Sequence, residues 1–425
     1  MKLFLAPPTD AAFDDVQQAN FRYVQIDAIG VALINAAMPF LPVFLTRLGA
    51  TSFEVGLLSS MPAFTGLLLA IPIGQFLQNQ RNIVPWFTFG RLGYFAAFAL
   101  TGLLGFLLKD RALILAILIV WGLATVPQTI LSITFSVVMN AVTGPLYRFA
   151  LMARRWSIMG FTSALTVLAV GFVLDRTIFP INYQIVFPVL ALGGLASYFF
   201  SSKIILKDIQ VHSEKQKTSL RQNASEYGDL ITQHASFRSF ITKRFIFLSG
   251  QAMLMPIIPL YLVRQINASD SWIATNSMVQ TAVLIIGYYL WSKIVVNRGS
   301  RVALNICTLG AAIYPFLLSQ TQNLSFIVML AAFNGIFQAG LNLVFFDELM
   351  KTVPDEYSST FVALAQMFSY FSSVFFPLFA TTIGDKFSLV TAMIISGILQ
   401  LIGFIMFFRN WPAYTDSKQE LSEIS

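Results

Sequence analysis

Twelve times along this chain a stretch of about 20 residues passes with almost no charged side chain, and that recurrence limits what it can fold into. A helix rises about 1.5 Å per residue, so each stretch is long enough to cross a hydrocarbon core of about 30 Å. The stretches cover residues 23–46, 55–76, 84–108, 113–139, 157–174, 183–202, 245–263, 273–292, 302–319, 324–346, 361–383 and 389–408. Only 11% of the residues are charged, against about 25% in soluble domains. There is too little polar surface to cover a water-soluble body. A β-barrel would show segments of about 10 residues with alternating polarity, and the sequence has none. The fold class expected is all-α and integral to the membrane, with about twelve transmembrane helices in two pseudo-symmetric six-helix halves.

The long polar interval 203–244 divides the chain. The expected organisation is a cytoplasmic N-terminal segment (1–22), a six-helix half (23–202), a cytoplasmic linker (203–244), a second six-helix half (245–408) and a cytoplasmic tail (409–425). Orientation follows from charge. With the N-terminus cytoplasmic, the outer loops hold Arg47, Lys109, Arg111, Arg176, Arg264 and Lys386, and the inner side keeps the other 21 of the 27 Lys and Arg residues. That distribution obeys the positive-inside rule. The net charge of +7 therefore reports topology, and no nucleic-acid partner is expected.

Two equal halves invite a search for repeats. Met38-Pro39-Phe40-Leu41-Pro42-Val43-Phe44-Leu45-Thr46-Arg47 in span 1 matches Met255-Pro256-Ile257-Ile258-Pro259-Leu260-Tyr261-Leu262-Val263-Arg264 in span 7. Met, both Pro, Leu and Arg recur in register, and with one inserted residue Ala50-Thr51 aligns with Ala268-Ser269. Proline removes a backbone donor and bends a helix, which a membrane tolerates where neighbours or a cavity satisfy the freed carbonyls. Pro39, Pro42, Pro256 and Pro259 are thus expected to bend spans 1 and 7 in their outer halves, for packing or for gating.

With these features the chain resembles the major facilitator superfamily over nearly its whole length. That family carries a Gly-x-Leu-x-Asp-Arg-x-Gly-Arg-Arg loop between spans 2 and 3, echoed between spans 8 and 9. Here the first loop reads Gly74-Gln75-Phe76-Leu77-Gln78-Asn79-Gln80-Arg81 and the second Ser292-Lys293-Ile294-Val295-Val296-Asn297-Arg298-Gly299-Ser300-Arg301. Gln78 and Val296 stand where the family has its acid. Asp347 and Glu348, at the end of span 10, are candidates to replace it by pairing with Arg298 and Arg301. The resemblance makes such a pair an inner gate; otherwise the acids merely neutralise a basic loop. Leu45 to Thr51 followed by Val55-Gly56-Leu57-Leu58 is similar to the start of drug-exporter-like members. Span 4 lacks their embedded Arg, and span 5 lacks their Gly-Pro-x-x-Gly-Gly pattern.

The resemblance implies a monomeric secondary carrier in the plasma (inner) membrane, working by alternating access on a small-molecule substrate among membrane lipid. One form of that reading is a proton-coupled exporter of a lipophilic or amphipathic compound. The alternatives are an uptake carrier for a small metabolite and a receptor or scaffold on a transporter fold.

Ionisable groups at membrane depth are functional candidates by default. Asp27 lies twenty residues before Arg47, about 30 Å along an ideal helix. It is read either as the carboxylate that takes the coupling proton or as an interfacial acid paired with Arg22. Arg91 follows Val84 closely and is expected to snorkel to the inner headgroups. Asn334, Gln338 and Asn342 recur every fourth residue on one face of span 10. Three amides facing lipid would be costly, so that face should meet protein or a water-filled cavity. Gln128 in span 4, Asn35 in span 1 and Gln251 in span 7 add amides on the spans that line the central cavity in the family. These six are the candidate substrate contacts, with interhelical hydrogen bonding as the other reading.

No Gly-x-x-x-x-Gly-Lys-[Ser/Thr] phosphate loop is present. His212 and His234 both fall in the polar linker, and Cys307 is the single cysteine, so no disulfide within the chain can form. No metal site, no cofactor and no enzymatic activity are expected.

Overall fold

The computed structural model describes residues 14–206, 234–352 and 358–409. The expectations for the N-terminal segment before residue 14, for linker residues 207–233 and for the tail 410–425 lie outside the described residues. Among those described, every regular element is a helix, and twelve are long and apolar enough to cross a membrane. Spans 1–6 are Asp15–Arg47, Ser52–Leu77, Val84–Leu107, Asp110–Met139, Leu151–Arg176 and Ile181–Ser201. Spans 7–12 are Ala235–Arg264, Asp270–Arg298, Ser300–Ser319, Leu324–Thr352, Phe361–Lys386 and Leu389–Arg409. The protein is a multi-pass integral membrane protein.

Span 7 begins ten residues before the apolar stretch read from sequence. Ser236, Ser239, Thr242, Lys243 and Arg244 continue the helix at its polar edge. Helical backbone also runs unbroken from Asp110 to Arg176, yet a straight helix of that length would measure about 100 Å. It doubles back instead. Arg111 near its start binds Glu54, and Asp175 near its end binds the start of span 8; both lie at the same face of the bundle. That face, carrying Arg47 and Arg264, is called here the hairpin face. The opposite one, where Asp15, Ser201, Ala235 and Arg409 lie, is the termini face.

Solvent preference is inverted relative to a soluble protein. Leu107, Leu123, Phe161 and Val296 stand exposed, while Asp27, Arg91 and Arg155 are buried. The apolar exterior suits lipid, and the interior satisfies its few charges by pairing. Close helix contact uses small residues, as membrane packing does: a Cβ on Gly30 would lie 2.3 Å from the Gly193 carbonyl. Spans 1 and 6 therefore touch backbone to backbone.

The core shows how the halves meet. Toward the hairpin face one apolar cluster runs through both halves, with Phe40, Phe44 and Tyr183 from the first and Ile257, Tyr261 and Ala392 from the second. Toward the termini face the core divides. Phe21, Phe87 and Leu151 belong to a cluster confined to the first half, and Phe237, Trp291 and Phe361 to another confined to the second.

The repeated proline motif takes two forms. Span 1 is interrupted: one helix ends at Asn35, residues 36–39 form turns, and a second helix runs Phe40–Arg47. Pro39 sits at the N-cap of that second helix and Pro42 in its first turn, where a missing N–H costs nothing. Span 7 stays helical from Ala235 to Arg264 with Pro256 and Pro259 inside it. The same residues break one helix and not the other.

Candidate functional site

Three places hold polar side chains where they can do chemistry or gate a pathway: a cluster inside the first half, a pair of arginines at the hairpin face, and the amides of spans 1, 4, 7 and 10.

Asp27 is 1% exposed and lies among spans 3, 5 and 6. Arg91 Nη2 donates to its Oδ2 at 2.8 Å, Arg155 Nη2 lies 3.5 Å from the same oxygen, and Ser197 Oγ donates to Oδ1 at 2.5 Å. Arg22, the partner considered from sequence, is exposed. Arg91 does not snorkel: it is 2% exposed, with its guanidinium 4.5 Å from the Phe87 ring centre. Arg155 is 4.8 Å from the Phe135 ring. Sequence reasoning missed Arg155 and Ser197, because nothing in spans 5 and 6 announces that they converge on span 1. One carboxylate facing two guanidiniums carries a surplus positive charge.

At the hairpin face the internal repeat becomes a reciprocal latch. Each half ends its first helix with a residue in the left-handed region, Gly49 at φ 88° and Asn267 at φ 53°. These occupy equivalent places, and Gly and Asn are the residues that tolerate that backbone conformation. The N–H of Ala50 then closes onto the Leu45 carbonyl and that of Ala268 onto the Leu262 carbonyl, again equivalent positions. Thr51 and Ser269 follow as N-caps of spans 2 and 8. Across these twin corners, Arg47 Nη2 donates to the Ala268 carbonyl at 3.0 Å, and Arg264 Nη2 donates to the Ala50 carbonyl at 2.6 Å.

Each arginine also meets the first residue of the other half's next helix. Arg47 pairs with Asp270 at 3.0 Å, and Arg264 donates to Ser52 Oγ at 2.7 Å. Further bonds across the halves gather there: Ser52 Oγ to Asp385, Tyr183 Oη to Asp270, and the Asp270 and Ser271 N–H groups to the Asp175 carboxylate at 2.7 and 3.0 Å. Among the described residues, the hydrogen bonds and ion pairs between halves all lie at this face.

The amides proposed from sequence are spread over several environments. Asn334 is buried, Gln338 half-buried and Asn342 exposed along span 10. Asn342 Nδ2 donates to Tyr288 Oη of span 8 at 3.0 Å. Asn35 Nδ2 lies 3.6 Å from Met159 Sδ of span 5; Gln128 and Gln251 are half-buried. Met38 and Met255, at equivalent places beside the prolines, are 40% and 58% exposed although their spans are among the most enclosed.

Of the residues read as an inner gate, Glu348 lies 3.9 Å from Arg301 and 3.1 Å from Lys351, and also accepts from Ser300 Oγ. Asp347 pairs with Lys351 at 2.8 Å, and Arg298 is exposed. All these groups belong to the second half, so their contacts tie spans 9 and 10 together and do not bridge the halves. Lys351, one turn beyond the acids, is the nearer cation.

A model of the Major Facilitator Superfamily matches residues 243–424. Solved structures match the whole architecture. One is a bacterial homolog of the human lysosomal transporter Spinster, inward-facing and occupied: TM-score 0.70 and 12% identity over 93% of this chain and 96% of that one. Another is the xylose transporter XylE from E. coli, inward open: 0.67 and 12% over 96% and 98%. The nucleoside transporter NupG aligns at 0.70 and 9% over 93% and 100%. The fold is the major facilitator fold. None of the curated proteins matches the sequence. In this fold the divided core and the one-sided latch describe a bundle whose halves are joined at the hairpin face and separate toward the termini face.

Proposed function

We infer that this chain is a secondary active transporter of the major facilitator superfamily, carrying a small solute between its halves by alternating access. The observation that carries this reading is the division of the core: one apolar cluster joins the halves at the hairpin face, and toward the termini face each half has a separate cluster of its own. Among the described residues the polar bonds between the halves lie at one face. Spans 2 and 11 and spans 5 and 8 stay packed as far as Gly66 against Tyr370 and Gly160 against Ile285, so the halves can rock about those seams. With the termini cytoplasmic, as the distribution of basic residues supports, this is the inward-facing state. Two of the similar structures, the Spinster homolog and the xylose transporter, are inward-facing as well.

The substrate site of this reading lies at mid-membrane among Asn35, Gln128, Gln251, Asn334, Gln338 and Asn342, with Met38 and Met255 as adaptable apolar walls. That mixture suits an amphipathic solute, and the resemblance of residues 45–58 to drug-exporter-like proteins favours outward movement. Asp27 is the coupling candidate, since it is a carboxylate buried in the first half and contacted from three other spans.

The test uses cysteines at Asn334, Gln338 and Met255 in a Cys307→Ser background. A water-soluble thiol reagent applied from the termini side should label them, and solutes that raise the melting temperature of the purified protein should protect them. The same solutes should then exchange across proteoliposomes. If no site labels in any state and no stabilising solute crosses, the proposed pathway is wrong.

A further inference from the structure

Away from the space between the halves, the second half holds a cavity of about 210 Å³ among spans 7, 9, 10 and 12 near the termini face. Its wall is rich in hydrogen-bond donors. Ser236, Ser239 and Lys243 follow one another at helical spacing on span 7, so they share a face, and Arg301 and Asn305 do the same on span 9. Lys243 is only 9% exposed. Among the described residues its ammonium has neither an ion pair nor a hydrogen bond; it lies 5.9 Å from the centre of the Phe407 ring and feels the like charge of Arg301.

The Lys243 stem is packed, but its ammonium opens onto the cavity with no counter-ion and beside the like charge of Arg301; two cations converging on one cavity form a site for an anion. The one carboxylate in the wall, Glu348, is already held by Ser300 Oγ and by Lys351 at 3.1 Å. Arg301 approaches it only through Nε, at 3.9 Å. Counting Asp347 with its partner Lys351, three cations face two carboxylates, and one positive charge is left over.

The geometry points to this cavity as a binding site for a phosphate group, carried either on a lipid headgroup or on a free phosphorylated solute. Lys243 supplies the point charge, the Arg301 Nη groups a planar fork for two phosphate oxygens, and Asn305, Ser236 and Ser239 neutral donors. The volume admits a phosphate with room for its substituent. The position fits both sources. Spans 7 and 12 end at the termini face beside the cavity, so a headgroup can enter from the side and a solute from the aqueous end. The site is independent of the transport reading, because its residues all belong to one half.

The experiment measures thermal unfolding of the full-length purified protein with four probes: sodium phosphate, dioctanoyl phosphatidic acid, dioctanoyl phosphatidylcholine, and sodium chloride at matched ionic strength. Saturable stabilisation by phosphate or by phosphatidic acid is expected, with no saturable effect of the other two. Stabilisation by both acids assigns the site to phosphomonoesters generally; stabilisation by phosphatidic acid alone assigns it to lipid. Lys243→Gln and Arg301→Gln should each weaken the response at least tenfold. Arg301 is half exposed, so its variant keeps the test decisive if Lys243→Gln does not fold. The proposal is overturned if neither acid stabilises the protein, or if both variants respond as the parent does.

Discussion

Loss of Arg47 should open the hairpin face, and the size of the effect can be worked from its contacts. Arg47 binds the Asp270 carboxylate and the Ala268 carbonyl, both at 3.0 Å. Breaking a fully buried ion pair costs about 3–5 kcal/mol. Here the arginine is 26% exposed, which weakens the pair, and Asp270 keeps its bond from Tyr183. A charge-assisted bond of about 1.5–3 kcal/mol is the better measure, so Arg47→Gln should cost the closed state about 2 kcal/mol. That is about 30-fold in the equilibrium between closed and open hairpin faces. A population closed 99 to 1 would fall to about 3 to 1.

Arg264→Gln should act in the same direction but less, by about tenfold or under, because its partners Ser52 and Ala50 are neutral oxygens. Spin labels at Lys109 and Gln322, both exposed near the hairpin face and in different halves, would report the separation by double electron–electron resonance. Longer distances should gain weight in both variants, more in Arg47→Gln. Unchanged distributions in both would refute the latch; a larger effect from Arg264 would refute the assignment of its strength to charge.

Asp27→Asn leaves Arg91 and Arg155 buried without a counter-charge and should lower thermal stability by about 3–5 kcal/mol; adding Arg155→Gln should recover part of that loss. If Asp27 carries the coupling proton, the double variant should exchange substrate yet fail to accumulate it on a pH gradient, and undiminished accumulation removes Asp27 from coupling. Reporter fusions at Ser213 and Ser425 should both read as cytoplasmic, and an external signal from either would reverse the orientation drawn from basic residues.

The number of spans and the division into halves were legible because lipid imposes length and apolarity on each helix separately, a condition any twenty-residue window reports. The repeat was legible for a related reason. Equivalent corners need equivalent residues, so Arg47 and Arg264, or Ala50 and Ala268, stand in register before any contact is known. Their reciprocity was not legible, since it depends on how the two halves face each other. The burial of Asp27 was hidden likewise. Its distance along span 1 gives depth in the membrane but not which side of the helix meets spans 3, 5 and 6, and only packing brings Arg91, Arg155 and Ser197 to it. Proline behaved the same way: the sequence marks where a helix can break, and only the folded chain shows that span 1 breaks and span 7 does not. Local conditions are written in the order of residues. Pairings between distant charges arise only when the helices are packed, because a buried charge is satisfied by whichever group the fold brings beside it.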